Sequence, residues 1–253
     1  MKQSLRPQNS HSPLTDGAAK AKKPLVYGVI GAMAEEVAAL KRAVENKVVV
    51  TVSGMEFVQG KIDGANVVIV QCGIGKVNAA TCAQLIIDRF GADVVINTGV
   101  AGSLDNRINI GDIVVSTDAV EHDFDVTALN YAPGEIPGMN SVFAADKNMI
   151  ARALEAVKKS APDIAAFTGR VCSGDRFIAS KDERNRIIRL FGGTCCEMEG
   201  AAIAHVCSLN QTPFVVIRAI SDKADDSEEV SYVEFERAAA ERCANIVRYM
   251  LAH

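Results

Sequence analysis

Residues 25–36 read LVYGVIGAMAEE, and this stretch indicates the kind of fold to expect. Leu25–Ile30 is a short, continuous apolar run, which is typical of a strand that is buried on both faces. Gly31 ends the run, and an amphipathic helix is predicted from Ala34 to Asn46. A buried strand, a glycine corner and a helix together form the first half of a βαβ unit.

The same alternation continues along the chain. Further strands are predicted at Lys47–Val52, Glu56–Ile62, Val67–Cys72, Val94–Thr98, Ile113–Val120, Phe167–Cys172 and Pro213–Ile220. Further helices are predicted from the Gly73–Gly75 corner to Phe90, from an Asp146 cap to Lys159, and at Asp182–Phe191, Met198–Ser208 and Ser231–Leu251. Residues 121–145 have no sustained period, and a loop of this length is usually functional or part of an interface. The alternation predicts one three-layer α/β domain with a mostly parallel sheet.

Length and composition exclude several classes of protein. The chain has 253 residues, 49% hydrophobic and 23% charged, with a net charge of −4. A chain of this size buries enough surface to fold without a metal or disulfide staple. The body contains no block of basic residues, which argues against nucleic acid or an anionic membrane surface as a partner. No run approaches the ~18 apolar residues of a membrane-spanning helix.

The two ends of the chain differ in composition. Residues 1–24 are rich in Ser, Pro, Lys and Gln and lack the apolar segment of a secretory signal, so they are interpreted as a disordered extension. Residues 25–253 are then the folded domain. The seven cysteines include no CxxC pair, and most lie in apolar runs. They are predicted to be free, buried thiols in a reducing cytoplasm.

Glycines and polar residues occur together at the ends of predicted strands, where α/β sheets bind ligands. The corners are residues 31–36 (GAMAEE), 98–102 (TGVAG), 173–177 (SGDRF), 197–200 (EMEG) and 218–222 (RAISD). Each alone could equally be a helix cap or a solvated turn. Their repetition favours one site. If residues 197–199 are extended, Glu197 and Glu199 point the same way.

Motifs of other enzyme classes are incomplete or absent. Residues 73–78 (GIGKVN) contain two glycines of a dinucleotide-binding fingerprint but not the third. The sequence contains no Walker A, HExxH or GxSxG pattern. His205 is interpreted as a packed or exposed helix residue, and His122 as either close to a substrate or engaged in a structural hydrogen bond. We therefore predict neither a cofactor nor a metal.

Six motifs occur in an order and at spacings that resemble a known family. They are residues 29–37 (VIGAMAEEV), 72–80 (CGIGKVNAA), 97–102 (NTGVAG), 173–178 (SGDRFI), 197–199 (EME) and 219–222 (AISD). Together they resemble the 5′-methylthioadenosine/S-adenosylhomocysteine nucleosidases of the purine nucleoside phosphorylase superfamily. The resemblance extends from Leu25 to Leu251. It implies that residues 25–253 are a catalytic domain and that two copies form a homodimer. The sheet of such a domain is mixed, mostly parallel and partly barrel-like, which departs from a purely parallel sheet.

The resemblance also implies a reaction, hydrolysis of the bond between adenine and a 5′-thioribose. Asp222 matches the acid that protonates adenine N7, a task that requires a carboxyl group still protonated near neutral pH. Glu36 matches the base that activates water, and Glu199 the carboxylate that binds the ribose hydroxyls and favours a cationic sugar. An acid and a base on opposite sides of the bond parallel the inverting glycosidases.

Further positions match substrate-binding residues of the family. They are Met33, Ile74, Phe177, Ile178, Glu197, Met198, Arg218, Ser221 and Tyr232, with Phe177 expected to stack on adenine. In the family a loop of one subunit closes the 5′ pocket of the other. The matching positions here are Val126, Leu129, Tyr131 and Pro137. Ordinary packing explains Leu129 and Tyr131 equally well.

One departure bears on the nucleophile. Val100 stands where many relatives have Ser or Thr, and phosphorylases of the superfamily use that hydroxyl to hold phosphate. Valine cannot donate this hydrogen bond, which favours water but also removes a polar partner from Asp222. A nucleoside phosphorylase, a 6-amino-6-deoxyfutalosine hydrolase and a nucleoside-binding module without activity remain as alternatives.

Overall fold

The computed structural model describes residues 24–224 and 232–253, with the backbone alone for residues 232–237. The predicted extension at residues 1–24 therefore lies outside the described residues except for Pro24. Within them the chain forms ten strands. The strands are β1 (Val26–Gly31), β2 (Glu45–Val52), β3 (Met55–Ile62), β4 (Ala65–Gln71), β5 (Val94–Ser103), β6 (Ile113–Glu121), β7 (Phe143–Ala144), β8 (Ala166–Ser173), β9 (Cys195–Glu197) and β10 (Phe214–Asp222).

Six α-helices and a 3₁₀ turn connect these strands. The helices are α1 (Ala34–Ala43), α2 (Lys76–Asp88), α3 (Lys147–Ser160), α4 (Lys181–Phe191), α5 (Gly200–Leu209) and α6 (Tyr232–Ala252), and the 3₁₀ turn is Thr127–Leu129. Each predicted helix and strand is present, with ends that shift by a few residues. Helix α1 ends before Asn46 because Val44 already has extended dihedrals (φ −66°, ψ 124°) and leads into β2.

The strands form one mixed sheet, part of which closes on itself. Strand β5 pairs with β10, β10 with β6, β6 with β8, β8 with β9, and β9 again with β5. On the other side of β5 the sheet continues through β1, β4, β3 and β2. The β10–β6, β5–β9, β4–β3 and β3–β2 pairs are antiparallel. The mixed, partly barrel-like sheet is thus confirmed, and a purely parallel sheet is not formed.

Helices cover both faces of the sheet. Neighbouring strand residues such as Val29 and Ile30, or Val95 and Ile96, point to opposite faces, and all four are fully buried. Helices α2 and α5 pack on one face, and α1, α3 and α6 on the other. Burial on both faces explains why these strands are continuously apolar rather than alternating. The three-layer architecture is confirmed.

Two further findings concern predicted properties of the chain. All seven cysteines are buried and unpaired, as predicted. In the described part of the chain, no helix combines the length and apolarity that a membrane crossing requires.

Closure of the sheet determines where strand ends meet. Gly102 and Ser103, at the carboxyl end of β5, pair with Cys196 and Cys195 of β9. The ends of β1 and β10 lie beside the same part of β5, because both strands run parallel to it. Five of the corners identified in the sequence therefore surround one opening.

Candidate active site

A cavity of about 640 Å³, including the open space at its mouth, lies where the barrel closes. Its walls combine apolar side chains with four carboxylates. The lining residues are Ala32, Met33, Glu36, Ile74, Val100, Ala101, Gly102, Arg176, Phe177, Ile178, Cys196, Glu197, Met198, Glu199, Ser221 and Asp222. An apolar pocket with a few convergent polar groups is typical of a small-molecule site.

Glu36 is held by backbone donors from two strand ends. Its Oε2 accepts hydrogen bonds from the amides of Ala32 (2.6 Å) and Met33 (2.9 Å), and its Oε1 accepts one from Val100 (3.1 Å). Burial raises the pKa of Glu36 above its ordinary value, although the charge of Arg218 and these amides oppose the rise. The result is a fixed and unusually basic carboxylate.

Gly99 makes room for Glu36. A Cβ atom at residue 99 would lie 2.4 Å from Oε1 of Glu36 and 3.2 Å from Nη1 of Arg218. Residue 99 must therefore be glycine because the Glu36 side chain approaches its backbone closely, not because of its own backbone angles.

Glu197 forms a buried ion pair with Arg218. Its carboxylate also accepts hydrogen bonds from the Ser173 hydroxyl and from the amides of Glu199 (3.1 Å) and Gly200 (2.8 Å). Burial alone would raise the pKa of Glu197, but Arg218 and these donors outweigh it and lower the pKa. Arg218 also donates to Asn97 Oδ1 at 2.5 Å. Glu197 is thus neutralised by a partner behind the cavity wall.

Glu199 is in a different electrostatic state. Its Oε1 accepts a hydrogen bond from the Gly75 amide at 2.8 Å, and no hydrogen bond to Arg218 is formed in the described structure. Burial, followed by the charge of Glu197, raises the pKa of Glu199 to about 7. Residues 197–199 are not extended throughout, yet both carboxylates line the cavity. Strand β9 ends at Glu197, and Glu199 caps α5 with non-extended dihedrals (φ −134°, ψ −39°).

Asp222 ends β10 and has one donor on each oxygen. The Ala224 amide donates to Oδ1 at 2.7 Å, and the Ser221 hydroxyl donates to Oδ2 at 2.8 Å. Ser221 thus supplies a hydroxyl to Asp222 although Val100 has none. Gly102 allows this arrangement, since a Cβ there would lie 2.8 Å from Oδ1 of Asp222.

The remaining predicted residues divide into three groups. Met33, Ile74, Phe177, Ile178 and Met198 line the cavity; Phe177 is 64% exposed at its mouth, and Ile178 is buried. The side chain of Tyr232 lies outside the described residues. Four predicted residues, Val126, Leu129, Tyr131 and Pro137, do not line the cavity of their own chain.

Sequence reasoning missed several contributors. Arg176 and Cys196 line the cavity, the Gly75 amide donates to Glu199, and Asn97 accepts a hydrogen bond from Arg218. Arg176 lies in the SGDRF corner and Gly75 in the GIGKVN motif, and these positions are the signal that could have found them. The buried Asn97 precedes the TGVAG corner, but nothing in the sequence indicates its Arg218 partner.

The two interior histidines do not line the cavity. His205 packs on Phe143, with ring centroids 4.7 Å apart, and its Nδ1 lies 2.9 Å from Oε1 of Glu121. It is the packed residue that the sequence predicts. His122 is buried, and its Nε2 has no hydrogen-bond partner in the described structure.

Comparisons with known proteins identify the family of the chain. Residues 26–252 match the family model of the phosphorylase superfamily. A 5′-methylthioadenosine/S-adenosylhomocysteine nucleosidase of Anoxybacillus flavithermus is 44% identical over 224 residues, which are 88% of this chain and 96% of the relative.

Solved structures give the same result. The corresponding nucleosidase of Neisseria meningitidis, in complex with methylthio-immucillin-A, superposes with a TM-score of 0.86 at 39% identity, covering 90% of this chain and 98% of that one. A futalosine hydrolase of Helicobacter pylori superposes with a TM-score of 0.84 at 30% identity, covering 89% and 97%. The chain therefore belongs to the phosphorylase superfamily and, within it, to the family of 5′-methylthioadenosine/S-adenosylhomocysteine nucleosidases.

Proposed function

We propose that the chain is an N-glycosyl hydrolase that cleaves 5′-methylthioadenosine and S-adenosylhomocysteine, releasing adenine and the 5′-thioribose product, with 5′-deoxyadenosine as a further substrate. The observation that carries this proposal is the convergence of Glu36, Glu199 and Asp222 on one cavity, each with different hydrogen-bond donors. A reaction that develops a cation on the sugar and an anion on the base needs several carboxyl groups in different roles.

Asp222 is the proposed acid that delivers a proton to adenine N7. The donors on its two oxygens, Ser221 and Ala224, fix the plane of the carboxyl group toward the cavity. A positioned acid of this kind typically contributes a factor of about 10²–10⁴ to the rate. Ser221 is therefore proposed to orient the acid rather than to react.

Glu36 is the proposed base for the attacking water. Three backbone amides hold its carboxylate, and burial raises its pKa, so it is a stronger base than an exposed glutamate. It lies at the end of β1 and the start of α1, whereas Asp222 ends β10. The two groups come from different walls, as an inverting mechanism requires.

Glu199 is the proposed partner of the ribose hydroxyls. In its ionised form it would stabilise positive charge that develops on the sugar ring. Met198, Met33 and Ile74 are proposed to pack against the sugar and the 5′-thio group, with Tyr232 nearby. Phe177 is proposed to stack on adenine, and the backbone of Ile178 to bind the edge of the base.

Water rather than phosphate is the proposed nucleophile. The cavity is lined by Glu36, Glu197, Glu199 and Asp222, and among the described lining residues only Arg176 is basic. A phosphate dianion would enter against this charge, since Arg218 is already paired with Glu197. Val100 also lacks the hydroxyl that would hold a phosphate oxygen.

We also propose that two copies of the chain form a dimer in the cytoplasm. Val77 (78% exposed) and Leu209 (65%) line one surface groove, and Leu129 (66%) projects from the 121–145 loop. Exposed apolar side chains of this size indicate an interface. Val126, Leu129, Tyr131 and Pro137 are then available to a partner's cavity. The seven free cysteines support a reducing compartment.

The proposed acid is tested by Asp222→Asn. We expect adenine release from 5′-methylthioadenosine to fall by about 10²–10⁴-fold, because the amide cannot deliver the proton. Asp163→Asn, at an exposed carboxylate that does not line the cavity, is the matched control and should retain wild-type turnover. Near-wild-type turnover of Asp222→Asn, with adenine binding intact, would remove Asp222 from this role.

A second candidate substrate is 6-amino-6-deoxyfutalosine. The likeness to the H. pylori futalosine hydrolase favours its inclusion, although the nucleosidase relatives are more similar in sequence. Both substrate classes share adenine and ribose and differ at the 5′ group. Relative kcat/KM values for the two substrates decide which one the cavity prefers.

A further inference from the structure

Lys76 connects three loops that border the cavity. It is the first residue of α2, and its Nζ donates to Asp123 Oδ1 at 2.7 Å and to Glu121 Oε2 at 2.9 Å. Its own amide donates to Asp175 Oδ1 at 2.7 Å. The Asp175 amide in turn donates to Asp123 Oδ2 at 2.8 Å.

These contacts form a closed ring of three residues, Lys76, Asp123 and Asp175. The ring joins the corner before α2, the end of β6 and the corner after β8. Burial alone would lower the pKa of Lys76, but the carboxylates of Asp123 and Glu121 raise it above its ordinary value. The ring is therefore held by a permanently charged ammonium group.

On each side of the ring, the next residues in the chain belong to the cavity. Gly75 precedes Lys76 and donates its amide to Glu199, and Ile74 before it lines the cavity. Phe177 follows Asp175 by two residues and stands at the mouth. A shift of either corner would displace groups that line the cavity.

The corner before α2 has little freedom to relax. Gly75 has φ +95°, and a Cβ there would lie 3.0 Å from Oδ1 of Asp175. The close approach of Asp175 to this backbone is thus part of the arrangement that presents the Gly75 amide to Glu199. Asp123 holds Asp175 in this place by accepting a hydrogen bond from the Asp175 amide. Among the described residues, only Lys76 forms a side-chain ion pair with Asp123.

We propose that Lys76 is a positioning residue for nucleoside binding, which acts by fixing the 73–76 and 174–177 corners relative to each other. It rests on the proposed function, because the bound molecule is taken to be an adenosine thioether. Lys76 touches neither the cavity nor the reacting atoms. Its effect is on how well Phe177 and Glu199 are aligned before the substrate arrives.

The test compares Lys76→Met with Lys158→Met, an exposed lysine near the end of α3. Lys76→Met should raise the KM for 5′-methylthioadenosine about tenfold, with a smaller fall in kcat, because alignment contributes mainly to binding. The Kd for adenine should rise in parallel. Lys158→Met should change neither quantity, and Lys76→Arg should recover part of the loss.

Asp123→Asn is the second variant, in case Lys76→Met does not fold. It keeps the size of the side chain but replaces one of its two acceptor oxygens by an amide donor, which would face either Lys76 or the Asp175 amide. Its KM should therefore also rise. Unchanged KM and adenine Kd in the folded variants, with only a lower melting temperature, would overturn the proposal. A wild-type protein that binds adenine but releases none from any nucleoside would instead overturn the proposed function.

Discussion

At the scale of single residues, the site contains carboxylates of the same chemical type in different states. Glu197 is kept ionised by Arg218 and by three further donors, whereas Glu199 has one amide donor and a pKa of about 7. The two residues are separated by Met198 alone. The difference comes from their partners, since a short turn at the end of β9 aims the two side chains at different groups.

The raised pKa of Glu199 makes stability depend on pH in a predictable way. The unfolded chain loses this proton near pH 4.5 and the folded chain near pH 7, so ionisation destabilises the fold as the pH rises. Glu199→Gln removes this penalty. Relative to wild type, the free energy of unfolding of this variant should therefore be greater at pH 8 than at pH 4, by up to about 3 kcal/mol.

Urea unfolding of Glu199→Gln and wild type at pH 4, 6 and 8 checks this prediction. Glu155→Gln, on the exposed face of α3, is the matched control and should show no such trend. The gain in stability should accompany a large loss of turnover, because the charge proposed to face the sugar is gone. A stability difference that is constant across pH would contradict the assignment.

At the scale of elements, the ends of helices and strands position the site. The sequence predicts some of these ends and not others. Asp146 is predicted as the cap of α3, and its Oδ1 accepts from the amides of Asn148 (3.0 Å) and Met149 (2.9 Å). Caps and long apolar strands have local signals. β9 has only three residues, too few for a period, so this strand could not be foreseen, although the helix that follows it is predicted.

Loss of the α3 cap should affect stability alone. Asp146→Ala leaves two amides of the first turn without their acceptor, which should lower the free energy of unfolding by about 1 kcal/mol. Asp163→Ala, an exposed carboxylate in the loop after α3, should change stability by less. Turnover of both variants should match wild type, and a large fall in kcat/KM for Asp146→Ala would show that α3 influences the cavity.

At the scale of the whole molecule, the closed part of the sheet brings distant corners together. The apolar runs and glycine corners predict which segments are strands and that their ends meet. They do not predict that β9 pairs with β5 and closes the barrel, because antiparallel pairing across 90 residues has no local signature. The Arg218–Glu197 pair likewise depends on that closure.

The proposed dimer is a prediction for the whole molecule. Leu209→Glu puts a charge at an exposed apolar position of the surface groove and should shift the weight-average mass in sedimentation equilibrium from dimer toward monomer. Turnover should fall as the dimer dissociates, because a monomer's cavity would lack the 121–145 loop of a partner. Leu25→Glu, at another half-exposed leucine, is the control. A fully active monomer would contradict the proposed role of the 121–145 loop.

The central claim is that this cavity hydrolyses the glycosidic bond of adenosine thioethers. It is tested most directly by product analysis of 5′-methylthioadenosine, S-adenosylhomocysteine, 5′-deoxyadenosine and 6-amino-6-deoxyfutalosine, each incubated with the protein with and without phosphate. We predict adenine release from 5′-methylthioadenosine and S-adenosylhomocysteine at rates independent of phosphate, with the free 5-thiosugar as second product. Release that requires phosphate and yields a sugar 1-phosphate, or no release from either thioether, would contradict the claim.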